Sequence, residues 1–177
     1  MLDPAADYHN LGAFYEATAG RLDDPADLLF TAEADVSGWS VAQHLYHILR
    51  ANASTLKAAY RLGTATPPLP AQGDPTREAM IVLRRGRLPK GAQAPASVRP
   101  PPDLDLDGLR ASHRMSQRML DRVEPLLPTI LTLHGHLPHP LLGPLTAAQW
   151  LAFTRIHTAH HEAIIRQIEA AQAAPPL

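Results

Sequence analysis

The distribution of proline is the feature that most limits how this chain can fold. The 177-residue sequence contains 18 prolines, of which nine lie within residues 64–102 and five within residues 125–144. Proline lacks a backbone donor and its ring clashes with the preceding helical turn, so neither stretch can form a long helix. Long regular elements are therefore expected only in the segments that these two stretches separate.

Four such segments carry helix signals, over about residues 3–22, 40–63, 106–123 and 146–171. Within the second, apolar residues recur at intervals of three and four, as one buried helix face requires: Val41, Leu45, Ile48, Leu49, Leu56 and Tyr60. No stretch shows convincing strand alternation. The sequence therefore predicts an all-α four-helix bundle with long Pro-rich connecting loops.

The ends of the segments carry further signals. Ser40 or Ser37 can cap the start of the second helix, and Thr146 can cap the last one. The connections of about 40 and 20 residues are long for a compact domain, and loops of that length usually cover a functional end or carry an interface. The stretch "RRGRLPKGAQAPASVRPPP" predicts an ordered wrap stiffened by proline rather than a flexible linker.

Length and composition narrow the class of protein. A chain of 177 residues predicts one domain over residues 1–177, and 45% hydrophobic with 19% charged residues is typical of a globular protein. The net charge of -1 gives no footprint for nucleic acid or anionic lipid. With no basic N-terminal leader and no apolar window long enough to span a membrane, a cytoplasmic location is expected. Because there is no cysteine, chemistry must come from histidines, carboxylates, hydroxyls or a cofactor.

The last predicted helix contains "HTAHHEAIIRQ", three of the ten histidines within five residues. At about 100° per residue, with Trp150 at zero, His157 lies near −20° and His161 near +20°, on the apolar face. His160 lies near −80°, at the edge of that face. Two imidazoles one turn apart on one face can reach a single divalent ion. The alternative is two core histidines, each bonded to a carbonyl or a partner side chain.

A metal site needs at least a third ligand, and "WSVAQHLYHI" offers His44 and His47 on another long helix. Relative to the apolar face near Leu45 and Ile48, His44 lies about 80° away and His47 about 140° away. Periodicity alone therefore favours His44.

Other polar residues have weaker assignments. One loop holds three histidines that can form a rim, a fourth ligand or a solvated cluster: His134, His136 and His139. His9 and His113 stand alone. Glu162 projects away from the ligand face, whereas Glu33 and Asp35 precede Trp39 and are candidates for outer-shell carboxylates. No metalloprotease, phosphate-loop or nucleophile-elbow motif is present.

The combination of a Trp-Ser pair opening a helix, "HLYHI" within it and "HTAHHEAIIRQI" on a final helix resembles the DinB-like superfamily of four-helix-bundle metalloenzymes. The resemblance implies a metal triad of His47, His157 and His161. It agrees with the projection on the last helix and selects His47 on the other, with His44 kept as the alternative ligand. It also implies a low-molecular-weight thiol as a partner and is compatible with a homodimer.

Three neutral imidazoles leave an ion with open positions, as catalytic sites do, and suit Zn²⁺ or Ni²⁺. The resulting hypothesis is a metal-dependent enzyme acting on a small molecule, of the thiol-dependent S-transferase or hydrolase type. The first alternative is a non-enzymatic metal-binding or stress-response bundle. The second is a dimeric helical bundle whose histidines belong to the core.

Overall fold

Four long α-helices pack side by side in the computed structural model, which describes residues 2–89 and 93–173. In chain order the helices are α1 (Pro4–Arg21), α2 (Ala26–Phe30), α3 (Val41–Thr64), α4 (Arg77–Arg85), α5 (Leu106–Val123) and α6 (Ala147–Gln172). Helix α3 contacts α5 and α6, and α1 contacts the same two helices, so the four long helices enclose one core. The all-α bundle predicted from the sequence is confirmed.

The core is built from the apolar faces predicted for these helices. Its largest fully buried side chains include Leu11 and Tyr15 of α1, Leu45, Ile48, Leu49 and Leu56 of α3, Leu109 and Leu120 of α5, and Leu151 of α6. Each such side chain stabilises the fold by about 1.5–3 kcal/mol relative to its exposed state. Among the described residues, no helix combines the length and the apolar character needed to cross a bilayer.

Capping boxes fix the start of the two helices that carry the paired histidines. The hydroxyl of Ser40 accepts the N–H of Gln43 at 3.3 Å, and the Gln43 side chain accepts the N–H of Ser40 at 3.0 Å. Thr146 and Gln149 form the same reciprocal pair at 3.3 and 2.9 Å. Ser40 rather than Ser37 is therefore the cap of α3, which leaves Ser37 free for another contact.

The two Pro-rich connections contain short regular elements. The first holds α4, capped by Thr76 and ended by Gly86 in the left-handed conformation, followed by a 3-10 turn over Ala96–Val98. Within the stretch predicted to be an ordered wrap, the described part contains this 3-10 turn, and residues 90–92 lie outside the described residues. The second holds 3-10 turns and a hairpin of β1 (Leu137–His139) and β2 (Gly143–Leu145), antiparallel with His139 opposite Gly143. The prediction of no strand was wrong there, because three-residue strands are too short to show alternation.

Candidate metal centre

Packing of α3 against α6 brings four histidines into one cluster. His44 and His47 lie in the first two turns of α3, and His157 and His161 lie on α6. One ligand nitrogen each from His47, His157 and His161 lies within 4.8 Å of the other two. These are the three residues named by the family resemblance, and their arrangement is compatible with a metal ion.

Two ring nitrogens of this triad lie close to each other. Nε2 of His47 lies 3.1 Å from Nε2 of His157. Two nitrogens bound to one tetrahedral zinc at about 2.1 Å would be about 3.4 Å apart. The observed separation is therefore close to the one that a shared ion requires.

His47 is oriented by the first Pro-rich connection. Its Nδ1 lies 3.0 Å from the carbonyl oxygen of Val98, in the 3-10 turn. A carbonyl can only accept, so Nδ1 carries the proton of the neutral ring and Nε2 keeps its lone pair. A backbone carbonyl on the second ring nitrogen is how metal-binding histidines are commonly held. The nitrogen that faces His157 is thus the one available to a metal.

His44 lies in the same cluster but makes different contacts. Its Nδ1 lies 3.2 Å from Nδ1 of His161, and its Nε2 lies 2.9 Å from the hydroxyl of Ser37. Both His44 and His47 are only 3% exposed. The projection failed to predict that His47 faces inward. Helix α3 contacts α5, α6 and the 3-10 turn, so the helix is buried over more of its circumference than its own apolar stripe indicates.

Burial keeps the rings of the cluster neutral. Loss of solvation lowers the pKa of His157 to about 3, with the neighbouring His47 as a second cause. Loss of solvation, followed by the approach of His157, lowers the pKa of His161 to about 2. Burial likewise lowers the pKa of His44 to about 4 and reduces that of His47. At neutral pH these rings therefore offer lone pairs, which metal binding requires.

The protein does not satisfy every nitrogen of the cluster by itself. Nδ1 of His157 is buried and has no hydrogen-bond partner among the described residues. An unpaired buried polar atom costs about 1–3 kcal/mol. The unpaired nitrogen therefore makes the packing of His157 costly.

Aromatic rings border the cluster. The ring of Trp39 lies 5.3 Å from that of His44 and 5.2 Å from that of His47, measured between centroids. Phe153 lies 6.0 Å from His157. His160, predicted at the edge of the face, packs edge-on against His161 at 4.9 Å. Trp39 belongs to the motif that carries the family resemblance, and its ring packs against both histidines of α3.

The loop histidines lie outside the triad. His139 is half-buried between Trp150 and Phe153, with ring centroids at 5.2 and 4.7 Å, and its Nδ1 accepts the N–H groups of Leu141 and Leu142 at 3.1 Å each. Burial lowers its pKa to about 4. The other two have different positions: His136 bonds to the backbone of Gln72, and His134 is exposed.

The carboxylates considered from the sequence do not bond to the histidines. The side-chain contacts of His44 and His47 go instead to Ser37 and Val98. Glu162 lines a groove with Asn10 and Arg155 between α1 and α6. It is half-buried, and burial raises its pKa.

Two contributors to the cluster were missed at the sequence level. Ser37 was considered only as a helix cap, although the capping box at Ser40 and Gln43 could have reassigned it. Val98 contributes a backbone carbonyl, which has no signature in a side-chain pattern. The ordered loop that delivers it was nevertheless expected.

Comparison with known protein families gives a match over most of the chain. The family model of the DinB superfamily matches residues 11–165, a range that includes both histidines of α3 and all three of α6. Neither a curated protein nor a solved structure matches the chain.

Proposed function

Because the chain belongs to the DinB superfamily, we propose that it is a metal-dependent enzyme acting on a small molecule. His47, His157 and His161 are the proposed ligands of one divalent ion. The observation that carries the proposal is the convergence of their ring nitrogens within 4.8 Å. The contact of His47 with Val98, which leaves a lone pair facing His157, supports it.

The donor set indicates the kind of ion and chemistry. Neutral imidazoles suit Zn²⁺ or Ni²⁺, and three of them leave positions for water or substrate. A bound ion of this kind supplies Lewis acidity, which lowers the pKa of a coordinated water or thiol. We therefore propose a low-molecular-weight thiol as one substrate and thiol-dependent S-transfer as the reaction, with hydrolysis as the related second possibility.

The chain's own residues would hold and shield the reacting groups. Val98 fixes the ring of His47, while the apolar rings of Trp39 and Phe153 border the cluster and limit access of water. His157 and His161 are partly exposed. A small substrate would reach the cluster at these two side chains.

Metal content tests this proposal. We expect the purified protein to hold about one Zn²⁺ or Ni²⁺ per chain by elemental analysis, because three ligands are preassembled. The triple variant His47→Ala, His157→Ala, His161→Ala should hold none. A matched triple variant, His9→Ala, His113→Ala, His134→Ala, removes three histidines outside the cluster and should bind like the wild type. Equal metal content in both triple variants would refute the assignment.

Turnover is then tested with pairs of small thiols and electrophiles, and with ester and amide substrates. The enzyme hypothesis requires turnover that disappears in the first triple variant and persists in the second. The alternative is a non-enzymatic metal-binding bundle. It is favoured by the fact that, within the described residues, no carboxylate bonds to the cluster to serve as a general base. It predicts a melting temperature that depends on metal, without turnover.

A further inference from the structure

His44 is the buried histidine of the cluster that the proposed triad leaves without a role. Its two nitrogens are both in contact with polar groups: Nδ1 lies 3.2 Å from Nδ1 of His161 and Nε2 lies 2.9 Å from the hydroxyl of Ser37. The same hydroxyl accepts the backbone N–H of Trp39 at 3.1 Å. These contacts form a chain from His161 through His44 to the loop that precedes α3.

The positions of the protons along this chain are coupled. A neutral imidazole carries one proton, so one of the two facing Nδ1 atoms must donate and the other must accept. In the first arrangement His161 donates to His44, whose Nε2–H then donates to Ser37. In the second arrangement every bond is reversed: Ser37 donates to His44, His44 donates to His161, and Nε2 of His161 is protonated.

Only the first arrangement allows His161 to act as a ligand through Nε2. A metal requires a lone pair on that nitrogen, so the ring must hold its proton on Nδ1. Nδ1 of His44 must then accept this proton, and Nε2 of His44 must donate to Ser37. The hydroxyl oxygen of Ser37 has two lone pairs, and they accept from His44 and from Trp39. Each contact in the chain is used.

From this geometry we infer that His44 is a positioning residue, which accepts the Nδ1–H of His161 and, anchored by Ser37, holds Nε2 of His161 toward the ion. This inference rests on the proposed metal site. It assigns to His161 the kind of support that Val98 gives to His47. It also separates His44 from the ligands, because His44 could bind an ion only by giving up its contact with His161 or with Ser37.

The proton positions can be measured directly in the wild-type protein. In the Zn²⁺-loaded protein, nitrogen-15 chemical shifts should show His44 protonated at Nε2 and unprotonated at Nδ1, with His161 protonated at Nδ1. Protonation of His44 at Nδ1, or a zinc-induced shift on a nitrogen of His44, would overturn the inference. This measurement needs no variant to fold.

Variants measure the effect on affinity. We expect His44→Leu to weaken Zn²⁺ binding about 10–100-fold in competition with a chelating dye, the usual effect of removing an outer-shell partner. His44→Gln, whose amide can accept from His161 and donate to Ser37, should recover much of this loss. Ser37→Ala should weaken binding by a smaller factor, and His113→Leu, which alters a histidine on α5, should bind like the wild type.

The two levels of the proposal fail differently. A wild type that binds no Zn²⁺ overturns the metal site and this inference with it. A wild type that binds, with His44→Leu equal to it in affinity, overturns the positioning role alone. Equal loss in His44→Leu and His44→Gln also contradicts it, because a purely steric role of the ring would not be restored by an amide. Circular dichroism and urea unfolding in excess chelator establish that each variant is folded.

Discussion

The interface between α3 and α6 contains two polar regions that differ in how they are satisfied. The first is the histidine cluster, where ring nitrogens face one another and Nδ1 of His157 is without a partner among the described residues. The second lies further along α3. There Asn52 and Thr158 exchange two hydrogen bonds, at 3.0 and 3.1 Å, and Thr154 donates to Thr55 at 2.7 Å.

The two regions differ in whether the protein itself pairs their polar atoms. Asn52 and Thr154 are fully buried, and their polar side-chain atoms are paired by the protein itself. A paired buried network stabilises one packing arrangement and needs nothing from outside. The histidine cluster differs by the same measure, because one of its buried nitrogens has no partner among the described residues. We call the second region the amide–hydroxyl network.

The largest expected effect is the response of the two regions to Zn²⁺. At a free concentration about 1,000 times the dissociation constant, binding to the folded state adds about 4 kcal/mol to the free energy of unfolding. We expect this gain in the wild type, measured by urea unfolding, and its loss in His157→Leu. Asn52→Leu, the same substitution in the amide–hydroxyl network, should keep the full gain. A gain that persists in His157→Leu would contradict the assignment of Zn²⁺ binding to the histidine cluster.

The next effect reverses the roles of the same two variants. In excess chelator, Asn52→Leu should lower the free energy of unfolding by about 2–3 kcal/mol, since it leaves Thr158 buried without its partner. His157→Leu removes the unpaired Nδ1 together with the contact of Nε2 with His47, so a cost and a gain partly cancel and stability should change by less than about 1 kcal/mol. An equal loss of unfolding free energy in the two variants would mean that the polar atoms of the cluster are as well paired as those of the network.

The contrast between the two α6 histidines and His47 shows how far sequence reasoning reaches. His157 and His161 could be predicted because α6 has one clear buried face and a helical period translates directly into direction. On α3 the same projection favoured His44 and needed the family resemblance to add His47. A helix with neighbours on several sides buries residues outside its apolar stripe, so both histidines face the cluster.

The connecting segments show a second limit. Helix α4 lies within the first Pro-rich stretch and was not predicted, although Thr76 and Gly86 supply its cap and its left-handed end. Nine residues free of proline were enough for it. The acceptor for His47 could not be predicted at all, because the carbonyl of Val98 depends on the path of the loop and not on a side chain.

His139 shares one feature with each of the two regions. Like the cluster it is an imidazole whose pKa is lowered by burial, to about 4, and like the network it is paired by the protein. Below the unfolded value of 6.5 the unfolded chain takes up a proton that the folded ring does not, so stability falls as pH falls from 6.5 toward 4.

With an allowance for its partial exposure, His139 should account for about 1–1.5 kcal/mol of the stability lost between pH 7 and pH 5. Between these pH values the free energy of unfolding of His139→Leu should therefore fall by less than that of the wild type, by this same amount. Urea unfolding in chelator at both pH values measures the difference. His134→Leu, an exposed histidine of the same loop, should follow the wild type. A His139→Leu curve parallel to that of the wild type would contradict the buried, neutral state of the ring.

The smallest expected effect tests whether the amide–hydroxyl network extends to α5. The hydroxyl of Tyr15 bonds to Ser116 on that helix. Burial raises the pKa of Tyr15 to about 12, and interactions with Ser116 and Asn52 oppose this rise. Ser116→Ala should cost only about 0.5–1 kcal/mol in urea unfolding, because it removes one hydroxyl and leaves the interaction of Tyr15 with Asn52 in place. Ser112→Ala, which removes a hydroxyl bonded within its own helix, serves as the control and should cost less. A loss as large as that of Asn52→Leu would show that the whole network requires Ser116. Pairing across four helices, and not the α3–α6 interface alone, would then distinguish the network from the histidine cluster.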